Sequence, residues 1–212
     1  MEKYQKINSI FKRDKHKNFI IGDYSLPEFE YLKDNIWDWY EKIDGMNIRI
    51  SPEENNVDIL PREAEDEIEI SKMSDELLYL LKERFHLKLF RSLFPTKKVV
   101  IYGEGYGRGI HGGGKYIPDG VDFIIFDITI DGWYLNIYNM LDVANKFNTK
   151  VVPLIGQGTL NEAIEKIQNK VYSQIGDCLA EGLVLRPTTE LWSRKGERII
   201  TKIKHKDFKI NG

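Results

Sequence analysis

Glu41-Lys42-Ile43-Asp44-Gly45-Met46-Asn47 stands between two runs that read as strands, Trp37–Glu41 and Asn47–Ser51. An Asp-Gly pair favours a tight turn, so these seven residues predict a lysine at a strand-turn-strand corner, where its amine can face a cleft. Alone, Lys-x-Asp-Gly is a short pattern whose default meaning is a surface turn. The segments that follow it in order give it weight. Arg62 comes twenty residues later, and Ile101-Tyr102-Gly103-Glu104-Gly105 reads as a strand ending in a carboxylate. Phe123-Ile124-Ile125-Phe126-Asp127-Ile128 is an apolar strand interrupted by one acid, and Glu181-Gly182-Leu183-Val184-Leu185-Arg186 opens a strand with another. Thr201-Lys202-Ile203-Lys204 places two lysines on one face of a strand, because side chains alternate with period two.

Working outward, strands are also expected over Lys98–Glu104, Phe123–Ile130, Gly182–Arg186 and Arg198–Lys204. Ser74–Phe85 reads as a helix with Leu77, Leu78, Leu81 and Phe85 on one stripe. Thr159-Leu160-Asn161-Glu162 is a capping-box pattern opening a second helix, with Ile164, Ile167 and Val171 inward. Leu141–Phe147 predicts a shorter third. Many strands with helices interspersed, without strict alternation, predict an α+β fold built on antiparallel sheets.

The chain has 212 residues, 42% hydrophobic, enough for a substantial core in one domain. No run of about 18 apolar residues is present, which excludes a membrane-spanning helix. The first residues lack the apolar segment of a signal peptide, and the single cysteine, Cys178, cannot form an internal disulfide; both suit a reducing cytoplasm. Net charge is −2, so no global positive field marks a nucleic-acid partner. The distribution is uneven. Glu53 to Glu69 is acidic, Lys12 to Lys17 is basic, and Arg194 to Lys209 carries seven Lys and Arg residues.

The glycine-rich stretch from Gly103 to Lys115 contains G-x-G-x-x-G at Gly107–Gly112 and the first seven positions of a P-loop at Gly109–Lys115. Both motifs require a helix directly after the glycines to hold phosphate. Here Tyr116-Ile117-Pro118-Asp119-Gly120 reads as a turn, and Tyr116 stands where the P-loop needs Ser or Thr. The stretch therefore predicts a strand-exit loop.

Taken together, the ordered segments, the longer phrase Glu-Lys-Ile-Asp-Gly-x-Asn-Ile-Arg and the stretch Tyr4-Gln5-Lys6-Ile7-Asn8-Ser9-Ile10-Phe11-Lys12-Arg13-Asp14 resemble the covalent nucleotidyltransferase superfamily. Within it the chain resembles the ATP-dependent RNA ligases, especially small phage-type members, from about Lys3 to Phe208. The resemblance implies a nucleotidyltransferase (adenylation) domain of antiparallel β-sheets with flanking helices around an ATP cleft. It implies one such domain over residues 1–212, without an appended C-terminal OB-fold. Two departures stand out. Met46 occupies a position where the family commonly has Thr, and Pro61-Arg62-Glu63 replaces the usual Gly-Arg-Thr.

What the resemblance implies for chemistry is specific. Lys42 attacks the α-phosphorus of ATP, with Lys202 and Lys204 as catalytic cations on that phosphate. Glu41, Asn47, Arg62, Glu104, Phe126 and Glu181 complete the ATP-binding set, Glu104 on the ribose and Phe126 stacked on adenine. Asp127 and Glu181 serve Mg2+ or Mn2+, which needs only one or two acids besides water and phosphate. Arg62, Asn47 and Arg186 contact the RNA end. An amine attacks only when neutral, and at an ordinary pKa of ~10.4 about one lysine in a thousand is neutral near pH 7.4. Neighbouring cations and desolvation favour the neutral form.

The expected product is RNA joined between a 5′-phosphate and a 3′-hydroxyl, in single strands, a nicked duplex or an RNA/DNA hybrid. Sealing either needs this domain alone or a partner protein for end recognition. Three other functions use related parts: an ATP-dependent DNA ligase, a GTP-using capping-type guanylyltransferase, and an inactive RNA-binding relative.

Overall fold

The computed structural model describes residues 2–61 and 73–208. Arg62, the acidic residues after it and Lys209 lie outside the described residues. In chain order the strands are β1 (Asn8–Ser9), β2 (Phe11–Arg13), β3 (Phe19–Tyr24), β4 (Trp37–Lys42), β5 (Met46–Pro52), β6 (Val57–Pro61), β7 (Val99–Gly107), β8 (Val121–Ile130), β9 (Trp133–Tyr134), β10 (Lys150–Val151), β11 (Leu154–Gly158), β12 (Gly182–Pro187) and β13 (Thr201–Lys204). The helices are α1 (Pro27–Tyr31), α2 (Asp75–Arg84), α3 (Leu87–Leu93), α4 (Ile137–Lys146) and α5 (Leu160–Gln168). This is the α+β class that the pattern predicts.

The chain forms two compact units. The first takes the residues up to Tyr4 and Asp44–Val152; the second takes Gln5–Ile43 and the residues from Pro153 onward. Lys42 is therefore the next-to-last residue before the chain leaves the second unit.

In the first unit five strands run β10-β8-β7-β5-β6, with β9 added on β8. One face of this sheet carries Ile48, Ile50, Ile101, Phe123, Ile125 and Ile128, all buried beneath α2, α3 and α4. Helix α2 forms where expected. Ser74 caps it by accepting the Leu77 N–H, Asp75 and Glu76 sit in its first turn, and Lys82 and Arg84 in its last. Phe85, just past its end, is fully buried and stacks on Phe147 with ring centroids 5.0 Å apart. Helix α4 begins four residues before the expected Leu141, because Asn136 caps it through the Asn139 N–H.

The second unit holds the sheet β1-β13-β12-β4-β11 and the separate pair β2-β3. Trp37, Trp39, Leu183, Leu185 and Ile203 pack against Leu160, Ala163, Ile164 and Ile167 of α5. The capping box predicted at Thr159 and Glu162 is present in both directions. Val171 lies beyond the end of α5 yet is buried, its carbonyl accepting the Ala180 N–H. Strand β13 begins at Thr201, later than the predicted Arg198. Arg198 instead pairs with Glu190 at 3.0 Å and bridges to Trp192. Among the described residues no helix is long and apolar enough to cross a membrane.

Candidate active site

In the second unit, β12 lies between β4 and β13 and pairs antiparallel with both. Lys42, Gly182 and Lys204 form one cross-strand row; Tyr40, Val184 and Lys202 form the next; Arg186 and Asp38 follow. Directly opposed residues share a face, so Lys42, Lys202, Lys204 and Arg186 all project from the same side of the sheet. The other face is the apolar core.

Gly182 is what lets this row close. A Cβ there would overlap the main-chain carbonyl of Ile203 and the Cα of Lys204. Its missing side chain also leaves a gap between the two lysines, and the carboxylate of the preceding Glu181 lies between them. Lys42 Nζ donates to Glu181 Oε2 at 2.6 Å, and Lys204 Nζ donates to Glu181 Oε1. The Glu181 carbonyl accepts the His205 N–H at 3.1 Å, which fixes its main chain. Burial pushes the Glu181 carboxyl up, but the ammonium groups of Lys42 and Lys204 outweigh it and hold the acid below its ordinary value. Arg186 lies over the Tyr40 ring, 5.2 Å from its centroid.

Glu41 goes the other way. Strand alternation puts it on the core face, 1% exposed, where it accepts the Gln174 N–H at 2.9 Å. Its side chain accepts the Gln174 N–H and is not on the Lys42 face. Alternation from Lys42 was legible beforehand and could have shown this.

In the first unit, Asn47 pairs across the sheet with Glu104, and Arg49 with Tyr102 and Asp127. This face is polar where the opposite one is apolar. Phe126 and Asp127 are sequence neighbours and would normally point to opposite faces. A register shift sets Asp127 opposite Tyr102 and Ile125 opposite Gly103, so Phe126 falls at the bulge and both neighbours reach the polar face. Tyr4 touches the two of them. Its hydroxyl donates to Asp127 Oδ2 at 2.7 Å, and its ring meets Phe126 edge-on at 5.0 Å. Tyr4 and Arg49 stand inside the two stretches that carry the resemblance, but sequence reasoning gave neither a role of its own.

The glycine-rich stretch belongs to this unit too. Its first glycines lie inside β7, and a 3-10 turn at Gly113–Lys115, with no α-helix, precedes β8. The stretch packs against the Asp-Gly turn: the Asp44 N–H donates to the Tyr116 hydroxyl at 3.2 Å, and Lys115 stands 3.9 Å from the Asp44 carboxylate. Gly45 must be glycine, because a Cβ would overlap the Gly105 carbonyl.

The structure thus gathers the predicted residues into two sets. Lys42, Glu181, Lys202, Lys204 and Arg186 share one face of the second unit; Asn47, Glu104, Phe126 and Asp127 share one face of the first. Among the described residues no three Asp, Glu, His or Cys side chains gather as a metal-binding group. Magnesium does not require one, since phosphate and water supply most of its ligands. Glu181, with its side chain 13% exposed, fits that requirement, whereas Asp127 is fully buried behind the surface.

Comparison with solved structures shows that the chain shares its fold with an RNA ligase. Naegleria gruberi RNA ligase in a variant solved with ATP and manganese is 20% identical, with a TM-score of 0.61 over 85% of this chain and 54% of that one. A second variant, with AMP and manganese, is 19% identical with a TM-score of 0.62, covering 86% and 53%. A third, with ATP and manganese, gives 19% and 0.64, covering 98% and 59%. The chain spans little more than half the length of that ligase. A family model described as RNA ligase matches residues 37–204, well over half of the chain. The protein belongs to the RNA ligase family.

Proposed function

We propose that the chain is an ATP-dependent RNA ligase working through a lysyl-adenylate at Lys42, its two units serving as one nucleotidyltransferase domain. The observation that carries this reading is the Lys42–Glu181–Lys204 cluster, in which one carboxylate holds two amines on one sheet face. Lys42 attacks the α-phosphorus of ATP, forming a P–N bond as the bond to pyrophosphate breaks. For that, Lys42 must release Glu181 and lose a proton, while Lys204 keeps the carboxylate anchored. Lys202 and Lys204 offset charge that develops on the phosphorus.

Glu104 and Phe126 take the nucleoside in this reading, and Asn47, Arg62 and Arg186 take phosphate or the RNA end. Glu181 of the second unit and Asp127 of the first are the acids assigned to a divalent cation. When bound, the cation would neutralise phosphate charge. AMP then passes to an RNA 5′-phosphate, and an adjacent 3′-hydroxyl displaces it to close the strand. The manganese and ATP named with the Naegleria ligase support both cosubstrate and metal.

The test is incubation with α-labelled ATP and Mg2+ or Mn2+, then a chase with 5′-phosphorylated RNA and DNA nicks. The protein is expected to carry acid-labile label that Lys42→Ala abolishes, and to transfer it preferentially to RNA. Label that survives Lys42→Ala ends the proposal, and preferential sealing of DNA nicks replaces it with the DNA-ligase reading.

A further inference from the structure

His205 follows Lys204 directly, yet its contacts are with the segment that leads into Glu181. Its main-chain N–H donates to the Glu181 carbonyl at 3.1 Å. Its ring reaches Val171, just past the end of α5. There Nε2 stands 3.2 Å from the Val171 nitrogen and 3.3 Å from the Val171 carbonyl oxygen. The ring accepts from the one or donates to the other, according to which nitrogen carries the proton.

Val171 is buried, and its carbonyl accepts the Ala180 N–H at 3.0 Å. Tyr172 bridges antiparallel to Leu179, and the Ser173 N–H donates to the Cys178 carbonyl at 2.9 Å. Residues 171–180 thus double back as a narrow ribbon, with Val171 and Ala180 paired at its base. The residue after Ala180 is Glu181, whose carboxylate takes Lys42 at 2.6 Å and also takes Lys204. His205 therefore fixes both sides of the base, the ring at Val171 and the main chain at Glu181. Lys204 is held in turn by its own N–H, which donates to the Asp207 carboxylate at 3.0 Å. All of these residues belong to the second unit. A side chain that only filled space would not need a ring nitrogen within reach of main-chain groups.

We propose that His205 is a positioning residue for lysine adenylation, latching the base of the 171–180 ribbon so that the Glu181 carboxylate stays between Lys42 and Lys204. This rests on the adenylation reading above. Without the ring contact the base of the ribbon shifts against β13, and the carboxylate at its end moves with it. A misplacement of about 1 Å in a reacting site costs up to about a hundredfold in rate. The nucleoside is taken by Glu104 and Phe126 in that reading, so the loss falls on kcat more than on KM.

The experiment compares His205→Ala, His205→Gln and wild type in the full chain. It measures thermal midpoint, kcat and KM for ATP in Lys42 adenylation well below the melt, and exchange of the Val171 and Ala180 amide protons by NMR. His205 is only partly buried, so both variants are expected to fold. His205→Ala is expected to lower kcat about tenfold with KM near wild type. It should also speed exchange at Val171 and Ala180 about tenfold, the scale of one lost hydrogen bond. His205→Gln carries an amide to the reach of Nε2, able to accept or donate, and is expected to restore both kcat and protection. A fall in thermal midpoint alone, with kcat unmoved in His205→Ala, overturns the proposal. So does an equal loss of kcat in both variants, because contact with Val171 would not be its cause. Unchanged exchange in His205→Ala overturns it as well. A wild-type protein that takes no label defeats the adenylation reading instead, while the exchange rates still judge the latch.

Discussion

Glu181 is the residue on which the second unit's chemistry turns, because both of its oxygens are engaged by lysines. Its folded pKa is lowered, so its contribution to stability is complete above the ordinary glutamate value of about 4.3 and is lost as pH falls through the lowered folded value. Urea midpoints measured from pH 7 to pH 3 should therefore fall less steeply for Glu181→Gln than for wild type. An equal slope in both would show that the carboxylate is not held in the folded chain. Lys42 was legible at this scale, since nucleophile, Asp44 and Gly45 are contiguous and a turn needs only local residues. The partnership with Glu181 was not, because 139 residues separate the two along the chain.

At the scale of elements, β12 is the strand that assembles the lysine face. It brings Lys42 from β4 and Lys204 from β13 into one row, and Gly182 allows the close approach. Gly182→Ala should push β12 away from β13, since the clashing atoms are main chain and cannot rotate aside. The expected cost is about 1–3 kcal/mol in urea unfolding. AMP labelling at a temperature well below the melt should fall further than that loss explains, because Lys204 is displaced. Full labelling by a folded Gly182→Ala protein would remove Lys204 from the proposed mechanism. Strands β4, β5, β7, β8, β12 and β13 and helices α2, α4 and α5 were readable from alternation and caps, whereas β2, β3, β6 and β11 were not read. The short strands β1, β9 and β10 were not, as two residues carry no period. Nor was α3, whose cap is His86 accepting the Leu89 N–H through Nδ1.

Across the whole molecule, two runs far apart in sequence meet in the second unit. Arg13 pairs with Asp207 at 2.8 Å and Phe19 packs on Phe208, so the Lys12–Lys17 cluster and the end of β13 share a surface. Lys15, Lys17 and Lys206 are exposed there. RNA affinity should fall as KCl rises, with a log–log slope of about −0.7 per phosphate contact on single strands, and Lys15→Ala with Lys206→Ala should flatten it. An unchanged slope in the double variant would take RNA off that surface. The class of fold, the order of the motifs, the candidate nucleophile and the rejection of a P-loop were all legible in the sequence, because each depends on neighbours or on period along the chain. Tertiary structure alone decided that Glu181 binds two lysines and that a bulge turns Phe126 and Asp127 to one face with Tyr4 upon them. Each of these depends on register between strands, which local sequence does not encode.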